Sequence, residues 1–206
     1  LRRLLVPVRD GARLGAIRPS LRGRGPPPSA RWLGSFRHDP DAAELARYLL
    51  SFRWPYQNEA NYPELVAGGM PLWREILRRV PDAPAGARAL ELGSPPFHLT
   101  LLLQRARRYA LSLTGSTADG RREIVQTLDS AAYGERHVMT CHAFDVERDR
   151  FPFPDEQFDL VTCCEVIEHL TENPVQTLSE IHRVLRPGGR VLISTPNVTR
   201  AGNIAN

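Results

Sequence analysis

The chain contains no lysine. All 27 basic residues among its 206 are arginine. Nor is the net charge of +4 spread along the chain. Residues 1–38 carry nine Arg against one Asp, whereas residues 39–206 carry 18 Arg against 22 acidic residues. The basic character belongs to the N-terminal segment, so a nucleic-acid-binding cleft in the remainder has little support. Cysteine is scarce too. Cys141, Cys163 and Cys164 offer no disulfide framework and no CxxC pair, which fits a reduced, cytoplasmic setting. His137, Cys141 and His142 lack the paired second half of a zinc site, so no metal is expected. No apolar run approaches the roughly 20 residues of a membrane span, and no membrane association is expected.

What is present divides into three stretches. Residues 1–38 are rich in Arg, Pro and Gly and cannot bury enough apolar surface to fold alone. They read as a disordered or loosely draped arm, although an Arg-rich, acid-poor segment also has the character of a transit peptide. Residues 39–83 read as helices. Leu45, Leu49 and Phe52 share one face of the first, and Trp54-Pro55-Tyr56 breaks it. Pro63 opens a second helical stretch, interrupted at Gly68-Gly69 and Pro71 and resumed by Leu72, Ile76, Leu77 and Val80. Residues 84–206 read as alternating strands and helices.

The most informative stretch is Phe158–Asn197. Phe158–Cys163 is a short apolar run with the pattern of a strand buried on both faces. Asn173 followed by Pro174 is a helix start, and Val175, Leu178, Ile181 and Leu185 recur at helical spacing. Arg186-Pro187-Gly188-Gly189 stops that helix, and Val191–Ser194 is a second buried strand. Strand, helix and strand of this length form a right-handed βαβ unit of a parallel sheet. Further strands are expected at Ala87–Leu92, Tyr109–Leu113 and His137–Asp145, with Arg121–Gly134 as a connection of some helical character.

The phrases FDLV, CEVIEHL and HRVLRPGGRVLISTPN, in that order and spacing, resemble class I S-adenosylmethionine-dependent methyltransferases, above all the small-molecule and glycan-modifying branch. The resemblance covers about residues 84–206. It implies an α/β fold, a Rossmann-like doubly wound sheet of mostly parallel strands, with S-adenosylmethionine as cofactor.

The resemblance also implies a set of site residues. Glu91 and Gly93 stand at the end of the first strand, where the family has an acid and a glycine-rich loop. Here Ser94-Pro95-Pro96-Phe97 replaces the later glycines, and two prolines remove two backbone donors. At the end of the second strand the family has a carboxylate for the ribose. This chain has Thr114 and Gly115 there, and no acid before Asp119. Asp145 and Val146 match the adenine-contacting motif. Glu165 lies where the methionine end of the cofactor is expected, and His169 on the following turn is a candidate general base. Tyr56, Tyr62 and Trp73 are candidates for a cover, although aromatics at helical spacing commonly serve as core.

The expected function is methyl transfer to a small-molecule or glycan-like acceptor. The alternative is a catalytically silent methyltransferase-like binding or scaffold module. A nicotinamide-dependent enzyme is a weaker third, because no G-x-G-x-x-G follows the first strand. The family has seven strands, and only five are legible here. The chain therefore reads as a domain truncated after the fifth strand, with an exposed sheet edge through which it can self-associate.

Overall fold

A computed structural model describes residues 40–53, 62–115 and 120–197. The proposed arm, Trp54 to Tyr56, Asp119 and the segment from Val198 onward lie outside the described residues. The first helix, α1, is Pro40–Leu50. Ala42, Ala46 and Leu49 recur on its inner face and are fully buried. The second, α2, is Tyr62–Arg79 and runs without a break through Pro71. The sequence suggested an interruption there. Val66, Met70, Ile76 and Leu77 nevertheless form an apolar stripe that is buried along the helix. Burying that stripe outweighs the intrinsic cost of proline and the two glycines.

The strands are β1 (Arg88–Leu92), β2 (Ala110–Gly115), β3 (Glu123–Ser130), β4 (Glu135–Ala143), β5 (Phe158–Cys164) and β6 (Leu185–Ser194). Helix α3 (His98–Arg107) follows β1, and α4 (Pro174–Val184) precedes β6. The six strands form one sheet in the order β3-β4-β2-β1-β5-β6. The pairings β1–β2, β1–β5, β2–β4 and β5–β6 are all parallel. This is the doubly wound α/β arrangement the sequence implied, with the sequence direction reversing on either side of β1.

Several local features differ from the sequence reading, among them that β6, expected to be buried, has no buried residue and that β4 lies two residues earlier than expected; three others bear on how the sheet is built. Strand β3 was expected to be a connection. Its inward positions are Ile124, Gln126, Leu128 and Ser130, and the outward Val125 is 59% exposed. Two polar residues on the inner face blur the period-two pattern, and pairing with β4 supplies the order. The turn Ala131–Gly134 joins the two, so they run antiparallel. The second difference is at Arg186–Gly189, which does more than end a helix. Leu185 pairs with Phe158 and Arg190 with Leu160, so the RPGG stretch bulges out of the β5–β6 ladder. Gly188 adopts φ 79° there. The third is that β2 and β5 each extend beyond their expected last residue, to Gly115 and Cys164.

By its contacts the chain forms two compact units. The first holds described residues 40–53, 62–71, 120–121 and 128–137. Inside it Tyr48 stacks edge-on against Phe52 and Tyr133, with ring centroids 5.0 and 5.1 Å apart. The Tyr48 hydroxyl donates to Glu135 at 2.8 Å, and the Ser51 and Ser130 hydroxyls meet at 2.7 Å. The second unit holds described residues 72–115, 122–127 and 138–197. Its core gathers Leu90, Leu92, Phe151, Phe153, Phe158, Val161, Ile181 and Val184. Each large apolar side chain buried there contributes about 1.5–3 kcal/mol.

Candidate active site at the carboxyl ends of the strands

The carboxyl ends of β1, β2, β4 and β5 come together in the second unit. Ser94 N–H donates to the Thr114 carbonyl at 2.8 Å, and Phe144 N–H donates to the Gly115 carbonyl at 3.4 Å. Glu91, Gly93, Ser94, Thr114 and Gly115 are therefore neighbours. Gly93 has φ 70°, and a Cβ there would lie 2.7 Å from the Val166 side chain, so no other residue fits without movement.

The loop after β1 is closed on itself. Gly93 N–H donates to the Thr114 hydroxyl at 3.3 Å, and that hydroxyl donates to the Glu91 carbonyl at 3.1 Å. The Ser94 hydroxyl donates to the Glu91 carbonyl at 3.0 Å and accepts from Thr114 N–H at 3.1 Å. Phe97 N–H donates to the Ser94 carbonyl at 2.7 Å. Pro95 and Pro96 have no N–H. From Gly93 to Phe97 every backbone donor is engaged within the protein.

The Glu91 side chain is 3% exposed and accepts the Thr100 hydroxyl at 2.6 Å. Burial raises its pKa to about 8, and the Thr100 hydrogen bond only partly offsets that. Burial likewise pushes Cys141 and Cys164 up to about 12 and Cys163 up to about 11. None of the three is a thiolate nucleophile at neutral pH. Along β4, Cys141 points inward and His142 outward, as strand alternation requires.

At the end of β4, Asp145 makes an Asx turn: one carboxylate oxygen accepts Glu147 N–H at 2.9 Å. Its other oxygen lies 3.8 Å from Arg148 Nε. The Val146 N–H has no hydrogen-bond partner among the described residues. A donor without a partner and an acceptor engaged only by this long ion pair thus stand side by side.

Glu165 ends β5 in the left-handed region, with φ 56°. Such a conformation costs a non-glycine residue about 1–3 kcal/mol and persists where the surroundings enforce it. Here β6 does so. Glu165 N–H donates to the Ser194 carbonyl at 3.0 Å, and the Ser194 hydroxyl donates to the Glu165 carboxylate at 2.9 Å. Burial raises the Glu165 pKa; the Ser194 bond opposes that, Glu168 adds to it, and His169 opposes it. Glu165, Glu168 and His169 therefore share one electrostatic neighbourhood. His169 is exposed on the short 3-10 turn Ile167–His169.

Several supporting residues carry no signal in the sequence. Thr100 reaches back from α3 to Glu91 on β1, and Ser194 and Thr177 each reach a partner far away in the chain. Arg183 donates to the carbonyls of Phe151 and Phe153 at 3.1 and 2.9 Å, and pairs with Glu180 and Asp155. This clamp fixes the segment leading into β5. Trp73 packs against His98, with ring centroids 4.9 Å apart, and Tyr62 reaches the Leu49 carbonyl at 3.5 Å. Two shallow cavities of about 250 and 510 Å³ lie at the opposite, amino end of the sheet, near Tyr109, Asp159 and Arg186 and near His182 and Pro187. Neither contains an expected site residue. Ligands of open α/β sheets bind at the carboxyl ends, and the strained and unpartnered groups are found there.

Residues 91–193 match the methyltransferase domain family. The chain belongs to that family. Its kinship is with the class I S-adenosylmethionine-dependent methyltransferases, whose cofactor is S-adenosylmethionine. Among curated relatives, the ubiquinone/menaquinone biosynthesis C-methyltransferase UbiE of Vibrio vulnificus is 27% identical over 136 residues, covering 63% of this chain and 49% of that protein. The demethylmenaquinone methyltransferase of Clavibacter sepedonicus is 33% identical over 140 residues, covering 65% of this chain and 52% of that protein. This methyltransferase domain thus spans about half the length of the curated relatives it matches. A solved SAM-dependent methyltransferase from Aquifex aeolicus is similar with a TM-score of 0.41 and 15% identity, over 59% of this chain and 62% of that one. Among the described residues, no helix is long and apolar enough to cross a membrane.

Proposed function

We propose that the domain binds S-adenosylmethionine at the carboxyl ends of β1, β2, β4 and β5 and serves methyl transfer to a small-molecule or glycan-like acceptor. The observation that carries this is the unpaired Val146 N–H beside an Asp145 oxygen that accepts no hydrogen bond and meets Arg148 only as a 3.8 Å ion pair at the end of β4. That pairing is complementary to the ring nitrogen and amino group along one edge of adenine. When bound, S-adenosylmethionine supplies a methyl group already activated on a sulfonium. The chain's own residues then have to hold and orient. Asp145 accepts the amino group and Val146 N–H donates to the ring. Gly93, exposed and lacking a Cβ, lets the backbone come close. Glu165, held by Ser194, presents its second oxygen toward the methionine end, and His169 can take a proton from an acceptor hydroxyl. Relatives named as a ubiquinone/menaquinone biosynthesis C-methyltransferase and a demethylmenaquinone methyltransferase support a small-molecule acceptor.

Calorimetric titration with S-adenosylhomocysteine tests the reading. Micromolar binding is expected, and no heat at millimolar ligand would overturn it. A second reading, a silent binding module, is favoured by one observation: the loop from Gly93 to Phe97 has no backbone donor left for a ligand. A labelled-methyl transfer assay with quinone-like and sugar acceptors separates the two. Binding without turnover supports the module.

A further inference from the structure

The segment after β4 is tied to the start of α4 by several hydrogen bonds. The Thr177 hydroxyl donates to the Val146 carbonyl at 2.8 Å. Glu147 accepts N–H bonds from Glu172 and Asn173 at 2.6 and 2.7 Å, and Arg148 pairs with Glu172. Thr177 is 1% exposed. A threonine inside a helix commonly returns its hydroxyl to a carbonyl of its own preceding turn. This one reaches another loop instead.

The Val146 carbonyl and the Glu147 N–H belong to the same planar peptide group. That N–H donates to one oxygen of Asp145 at 2.9 Å. A relay therefore runs from the Thr177 hydroxyl through one rigid plane to the Asp145 carboxylate, and it fixes where the second oxygen points. We propose that Thr177 is a positioning residue for purine selectivity: it holds Asp145 so that a 6-aminopurine is accepted and a 6-oxopurine is refused. This rests on the cofactor reading given above. A 6-oxopurine presents an oxygen where adenine presents an amino group, and an N–H where adenine presents a bare nitrogen. Both contacts would become mismatched, and an unmade buried hydrogen bond costs more than a made one gains.

The test is the ratio of dissociation constants for S-adenosylhomocysteine and its 6-oxo (hypoxanthine) counterpart, measured by calorimetry on the full chain. Thr177→Val keeps shape and branching but loses the donor, and Thr177→Ser keeps the donor. The ratio should fall about fivefold in Thr177→Val and stay at the wild-type value in Thr177→Ser. The thermal midpoint of each variant reports general destabilisation separately, which by itself leaves the ratio unmoved. Should Thr177→Val not fold, Thr177→Ala removes the donor without adding bulk and carries the same comparison. An unchanged ratio in the donor-less variant overturns the proposal while leaving the cofactor reading intact. A wild-type chain that binds neither compound overturns both.

Discussion

Glu91→Gln replaces one carboxylate oxygen with an amide nitrogen at a position only 3% exposed. The folded carboxyl has a pKa of about 8, raised by burial from an ordinary value of 4.5, with the Thr100 hydroxyl pulling the other way. Between those values the folded chain keeps a proton that the unfolded chain has lost. Stability therefore falls as pH rises through that window and levels off above it. Each pH unit is worth about 1.36 kcal/mol, so the wild-type chain should lose about 3 kcal/mol from this group between about pH 5 and pH 8. Glutamine cannot ionise, yet its carbonyl can still accept the Thr100 hydroxyl. The variant should gain on the wild type by about 3 kcal/mol across the same range. Urea unfolding of both chains at several pH values measures this. All other titrating groups are shared, so the difference between the two curves isolates Glu91. Parallel curves would show that the folded carboxyl titrates normally, and the burial reasoning would be wrong.

Gly93→Ala should cost about 1–3 kcal/mol in chemical denaturation, because its φ of 70° and the Val166 contact both oppose a Cβ. Adding Val166→Ala should recover only the part due to the contact. Asp145→Ala should weaken S-adenosylhomocysteine binding by about 1–3 kcal/mol, and an unchanged dissociation constant would remove Asp145 from the site. Arg183→Met should cost about 3–5 kcal/mol, since it leaves the Phe151 and Phe153 carbonyls and the buried Glu180 carboxylate without their cation; a loss below 1 kcal/mol would show that the clamp is redundant. Among the described residues β6 is outermost in the sheet, with Val191 and Ile193 44% and 41% exposed, so light scattering should detect self-association of this chain that Ile193→Arg reduces.

The sequence by itself determined the α/β class, four of the five parallel strands nearly to their boundaries, and the start of α4. Those features rest on local chemistry. Phe158–Cys164 is mostly apolar and five of its seven residues are buried because both its faces are covered, and Asn173 caps α4 by accepting Gln176 N–H at 3.1 Å, as Asn before Pro suggests. Strand β3 and the early start of β6 were decided by pairing with neighbours, which a blurred pattern and an RPGG turn do not announce. The site divides in the same way. Its positions at strand ends were legible because an α/β sheet places ligands there. Which groups are engaged and which are free was not. Glu91 meets Thr100, Glu165 meets Ser194 and Val146 meets Thr177 only once the sheet and its helices have packed. A hydroxyl donates over about 3 Å and has no preference for partners near in sequence, so tertiary structure alone assigned these bonds.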